Sequence, residues 1–184
     1  MHLLDRMSYF WRRHTDSCTL VVNCDTSPRS TSFSARLCNA YMAGAKSATR
    51  SAQYLSAGDR TDESAVKAWK CASQNGLEVK NMMLILPIAG DAVPASLCEF
   101  FSRPWTRAMS SPLRPRTIRI VFTTEIPAFL QRAVLQRCTV MQNFYSLFPA
   151  SRIRQDFIGS IDAMSPDQYL WWIATIREYG TKGI

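Results

Sequence analysis

The sequence predicts an open α/β fold built on a parallel sheet. Short apolar runs alternate along the chain with longer stretches of helical spacing, which is the pattern of repeated β-α units. One run, "TIRIVF" from Thr117 to Phe122, is apolar almost throughout, as expected of a strand whose sheet is covered by helices on both faces. The chain has no repeat, no low-complexity tract and no evident linker. Its 184 residues are therefore read as an N-terminal extension, 1–18, followed by a single domain over 19–184.

The first strand is Thr19–Asn23. A helix follows from Phe33, where Phe33, Leu37, Ala40, Tyr41 and Gly44 keep helical spacing, with Ser32 or Thr31 as N-cap. A second strand belongs near residues 50–60, which are poor in β-formers; "AQYL" is the best segment there. Glu63–Gln74 reads as a helix and Asn81–Leu86 ("NMMLIL") as the third strand. Pro94 sits where a helix start tolerates proline, ahead of Leu97, Phe100 and Phe101. Thr117–Phe122 is the fourth strand, and Ala128–Arg137 is a helix entered through Pro127. Ile153–Gly159 is a weaker fifth strand. The last helix is well marked, because Ser165, Pro166 and Gln168 make a capping box with proline at the first helical position. Tyr169, Trp172, Ile173 and Ile176 form its inner face, and Gly180 is read as its end. Asp162 and Asp167 read as turn and first-turn carboxylates. Phe144, Tyr145 and Phe148 read as core or dimer contact.

Composition narrows the function classes. The net charge of +8 favours anionic partners, but Lys and Arg are scattered, which describes a solvated basic surface better than a nucleic-acid face. No apolar run approaches the length of a membrane helix. The six cysteines never occur as C-x-x-C and the two histidines are His2 and His14, so zinc-site spacing is absent. The thiols read as reduced and mostly buried, in an intracellular and cytoplasmic protein. The start, "MHLLDRMSYFWRRH", reads as an ordinary flexible tail; its arginines and aromatics make a mitochondrial transit peptide the alternative, against which stand Asp5 and Asp16. The glycine signatures of P-loop and Rossmann sites and the hydrolase elbow are missing.

In open parallel sheets, ligands sit beyond the carboxyl ends of the strands. That directs attention to three loops, Cys24–Ser32, Pro87–Pro94 and Thr123–Pro127. The first, with the start of the helix after it, reads "CDTSPRSTSFS" from Cys24 to Ser34, free of glycine and rich in hydroxyls. A helix N-terminus offers free amide N–H groups and a positive dipole end to a phosphate. Ser27, Thr31, Ser32 and Ser34 would add donors and Arg29 a charge. A serine-rich turn with one N-cap and no ligand is the other reading of the same residues.

The segment "LVVNCDTSPRSTSFSARLCNAYMAGA" resembles the first strand, phosphate loop and helix of the flavodoxin-like NAD(P)H:quinone oxidoreductases and FMN reductases. The resemblance continues through "LILPIAGDAVPASLCEFFSR" and "TIRIVFTTEIPAFLQRAVLQR" to "DFIGSIDAMSPDQYLWWIATIREYG". It implies a flavodoxin-like three-layer sandwich with a five-stranded parallel sheet in the order 2-1-3-4-5. It also implies bound FMN or FAD, with NAD(P)H as co-substrate and a quinone-like small molecule as electron acceptor. Ser27, Arg29, Thr31, Ser32, Phe33 and Ser34 would surround the flavin phosphate and ribityl chain. Pro87, Ile88, Ala89 and Gly90 would line the isoalloxazine ring, and Thr123, Thr124 and Glu125 would approach its other edge. A homodimer is implied as well.

The chain departs from the family pattern in three places. Ile88, Ala89 and Gly90 stand where bulky aromatics usually wall the ring, with Asp91 adding an anion. The connection from Arg103 to Thr117 is short, and no histidine follows residue 14. Two function classes therefore stay open: a flavin-dependent oxidoreductase, or a flavodoxin-like domain serving as a non-catalytic accessory subunit of a larger, mitochondrial assembly.

Overall fold

The computed structural model describes residues 17–25, 32–56, 78–88, 115–136 and 138–184. Five strands form one parallel sheet: β1 (Ser17–Asn23), β2 (Ser51–Ser56), β3 (Glu78–Ile88), β4 (Thr117–Thr124) and β5 (Arg152–Ile158). Their order across the sheet is β2-β1-β3-β4-β5, the order the resemblance implies. Four α-helices are described, α1 (Phe33–Ser47), α2 (Ala128–Leu135), α3 (Thr139–Leu147) and α4 (Pro166–Lys182), with a single 3-10 turn at Ile161–Ala163. The helices expected at Glu63–Gln74 and after Pro94 lie outside the described residues.

Successive side chains of a strand point to opposite faces, and here both faces are buried. On one face Leu20, Leu84, Ile118, Ile120 and Phe122 pack with Leu135, Met141, Phe144 and Phe148 from the α2–α3 segment. Phe122 stacks on Phe157 of β5, with ring centroids 4.9 Å apart. On the other face Val21, Met83, Ile85, Val121 and Ile158 meet Leu37, Cys38 and Tyr41 of α1 and Ile176 of α4. The aromatic trio at the end of α3 and its C-cap therefore serves as core: Phe144 and Phe148 are buried and Tyr145 packs beside them.

Three local findings refine the expectations. Ser32, not Thr31, caps α1: its Oγ accepts from the Ala35 amide at 3.2 Å. The α4 capping box forms as read, Ser165 and Gln168 each bonding the other's backbone. The helix does not stop at Gly180, however. It runs to Lys182 and closes on Gly183, which holds φ 70° and ψ 38° in the left-handed region. Gly180 is needed for close approach instead, since a Cβ there would fall on the Tyr41 carbonyl oxygen of α1.

Candidate functional site

Strands β1, β3 and β4 are neighbours, so the loops leaving their carboxyl ends share one edge of the sheet. The pairing register sets Asn23 beside Ile85, Pro87 beside Thr123 and Ile88 beside Thr124. Of the sequence-derived candidates, the described residues bring Ser32, Phe33, Ser34, Pro87, Ile88, Thr123, Thr124 and Glu125 to that edge. Ser27, Arg29, Thr31, Ala89 and Gly90 lie outside the described residues.

The exit from β1 shows how a glycine-free turn begins. The Cys24 amide still donates to the Ile85 carbonyl at 2.9 Å, prolonging the ladder by one residue. Asn23, only 5% exposed, then turns the chain with its side chain. Its Oδ1 accepts from the Asp25 amide at 3.0 Å, and its Nδ2 donates to the Tyr54 hydroxyl at 3.2 Å. An Asx-type bond thus replaces the conformational freedom of glycine.

Where α1 starts, the described residues leave two backbone amides open. The first amides of a helix have no partner within it. Ser32 satisfies Ala35, while among the described residues the amides of Phe33 and Ser34 meet no acceptor. No acidic residue occupies the first turn to offset the positive dipole end. This helix start is also held in place from outside. Phe33 lies against Tyr169 of α4, centroids 5.4 Å apart, and Arg36 Nη1 donates to the Tyr169 hydroxyl at 3.0 Å.

The β4 end separates two adjacent threonines by face. Thr124 turns toward the α2 layer, where its hydroxyl donates to Gln131 Oε1 and accepts from the Ile126 amide, both at 3.3 Å. That bonding holds the loop and leaves Thr124 little to offer a ligand. Thr123 turns to the α1–α4 layer, is 1% exposed, and its Oγ1 has no hydrogen-bond partner among the described residues. Glu125 is exposed. Ile88 is 2% exposed within the hydrophobic cluster on the α2–α3 side, so it contributes core packing, while Pro87 is half-buried.

Other chemistries find little support in the described residues. Burial, with the neighbouring Asp25 carboxylate adding to it, pushes the Cys24 thiol up to about 12. Burial pushes Cys38 up as well. Neither is a thiolate nucleophile at neutral pH. Among the described residues no group of three metal-binding side chains converges.

One buried charge escapes the sequence reading. Arg119, inside "TIRIVF", is 6% exposed and donates through Nη1 to Asp156 Oδ2 of β5 at 2.7 Å. Its guanidinium lies 3.9 Å from the centre of the Tyr179 ring of α4. A lone cation in a strand buried on both faces needs such partners, and that requirement is the available signal.

Strand order and layering define the fold as flavodoxin-like α/β. No family model matches the sequence, and no curated protein is similar to it. Solved structures do share the fold. An NAD(P)H:quinone oxidoreductase from Methanothermobacter marburgensis superposes with a TM-score of 0.60 at 11% identity, over 91% of this chain and 96% of that one. An FMN-dependent NADH-azoreductase from Bacillus anthracis, solved in complex with FMN, gives 0.61 at 11% identity over 90% and 98%. An NADH:FMN oxidoreductase in its apo form gives 0.57 at 12% identity over 91% and 90%.

Proposed function

We propose that this chain is a flavin-dependent oxidoreductase that takes hydride from NADH or NADPH and passes it, through FMN or FAD, to a quinone-like acceptor. The observation that carries the reading is the start of α1. Two amides without acceptors among the described residues, in a first helical turn without an acidic residue, stand at the carboxyl edge of the sheet, where the fold places ligands. The names of the structural neighbours point the same way, toward quinone, azo and flavin substrates.

The described residues fit such a group. The Phe33 and Ser34 amides would hold the phosphate, with Ser27, Arg29 and Thr31 adding donors and charge from the preceding loop. Thr123, whose buried hydroxyl lacks a partner among the described residues, would give its proton to an acceptor on the ring side. The Thr124–Gln131 pair would keep that loop fixed while the ligand enters. The flavin, when bound, supplies the hydride chemistry, and the protein supplies orientation and a polar environment for the reduced ring's charge.

The test is the visible absorption of the purified protein, followed by titration of FMN and FAD and an assay of NAD(P)H oxidation with menadione. We expect a yellow protein, or saturable quenching of added flavin, and menadione-dependent NAD(P)H consumption. A colourless protein that neither binds flavin nor oxidises NAD(P)H ends the proposal.

A further inference from the structure

A cleft of about 600 Å³ opens between the first turn of α2, the exit of β5 and the first two turns of α4. Its volume lies in the range of small-molecule sites. Pro127, Gly159, Met164, Asp167, Trp171 and Trp172 are among the residues that line it. None of the residues assigned to the flavin is among them, although Pro127 ends the Thr123–Pro127 loop at the same edge of the sheet.

Three features make this a built site. The walls are fixed in advance: a Cβ at Gly159 would collide with the Ala128 amide nitrogen, so the β5 exit and the α2 start lie in direct contact. The next residue, Ser160, adopts the left-handed conformation (φ 54°, ψ 42°), which is costly for a residue with a side chain, and its amide donates to the Ile126 carbonyl at 3.0 Å. The cleft is also aromatic. Trp171 is 59% exposed and stands edge-on to Trp172, centroids 4.7 Å apart. Phe129, Leu130 and Leu170 are exposed on the same two helix ends. Finally, the cleft has a sign. Among the described residues, Asp167 is the one formally charged side chain lining it and no basic side chain does, in a chain of net charge +8.

We propose that this cleft binds an organic cation with a flat aromatic body. A solvated tryptophan face attracts a cation through its ring quadrupole and stacks on its planar part. The Asp167 carboxylate supplies the counter-charge, and Asp162 in the adjoining turn is exposed nearby. The α4 dipole opposes a cation with only about half an elementary charge, and the capping box already satisfies the amide of Gln168. An anion would meet Asp167 directly.

The test is isothermal titration of the full chain with N-methylquinolinium, compared with quinoline kept neutral at mildly alkaline pH. We expect saturable binding of the cation, about tenfold tighter than quinoline. Trp171→Ala should lose about tenfold, whereas Trp171→Phe, which keeps an aromatic face, should retain most of the affinity. Asp167→Asn should weaken the cation about fivefold and leave quinoline unchanged. Both side chains are exposed, so these variants fold. No saturation, equal affinity for quinoline, or indifference to Trp171→Ala overturns the proposal. So does self-association that vanishes in Trp171→Ala without any cation binding, which would make the face a contact between copies.

Discussion

Thr123 is where the cost of the candidate site is most visible. A buried hydroxyl without a hydrogen bond costs about 1–3 kcal/mol relative to its hydrated state, and this one, with no partner among the described residues, sits 1% exposed near the end of β4. Valine has the same shape and no hydroxyl. In flavin-free protein Thr123→Val should therefore raise stability by about 1 kcal/mol in urea unfolding. The same substitution should weaken FMN binding about tenfold, or ~1.4 kcal/mol, if the hydroxyl is kept for the cofactor. A gain in stability with unchanged FMN affinity would remove Thr123 from the site. Arg119 poses the reverse case: a full charge, similarly buried, but met by Asp156 and the Tyr179 ring. The register pairs Asp156 with Val121, so the arginine reaches it diagonally, a relation that one strand's sequence does not display.

At the scale of elements, α1 and α4 lie closer together than ordinary helices can. A Cβ on Gly44 would strike the Arg177 carbonyl oxygen, and one on Gly180 the Tyr41 carbonyl oxygen. By helix propensity alone, Gly→Ala in a helix interior should stabilise by about 1 kcal/mol. Here overpacking against backbone, which cannot swing aside, should reverse the sign. Gly44→Ala and Gly180→Ala should each destabilise by about 2 kcal/mol in chemical denaturation, and a net gain from either would mean the helices part freely. The same contact explains why the sequence suggests too early an end for α4. Glycine at a helix end and glycine at a helix crossing look alike in sequence, and only the partner helix distinguishes them. Elements with strong local signals are legible: the apolar β1 and β4 runs, the Ser32 cap and the Ser165–Gln168 box. The α3 segment is not, because no side chain caps its start and its N-cap residue is Cys138. The β2 strand, "SAQYLS", is legible only by its place in the order. It is an edge strand with one buried side chain, Leu55, so its composition is under little constraint.

Across the whole molecule, the three-layer arrangement is readable because burying both faces of a parallel sheet imposes continuous apolar strands, and those dominate the sequence. The candidate site is readable in part. Hydroxyls beside a helix start are the signal from which an anion site is proposed, but which face a threonine turns to is set by strand parity and neighbouring helices, as Thr123 and Thr124 show. The layered core also makes a global prediction. Cys18, Cys24 and Cys38, together with Tyr41, are acids whose proton is held more tightly in the folded chain, in each case chiefly because burial disfavours the anion. For a group whose folded pKa lies above its unfolded value, stability is fully present below the unfolded pKa and is lost as pH rises through the interval. For Cys24 that interval runs from 9.0 to about 12. The unfolding free energy should thus be level on the acid side of 9.0 as far as these groups are concerned, and fall above it. The slope should be about 1.4 kcal/mol per pH unit for each thiol that ionises only on unfolding. Urea titrations at successive alkaline pH values measure this. Cys24→Ala should make the decline shallower, because one of the ionising groups is gone from the unfolded chain. Stability that holds or rises across that interval would mean the thiols are reached by water in the folded protein, and that the two helical layers do not seal the sheet.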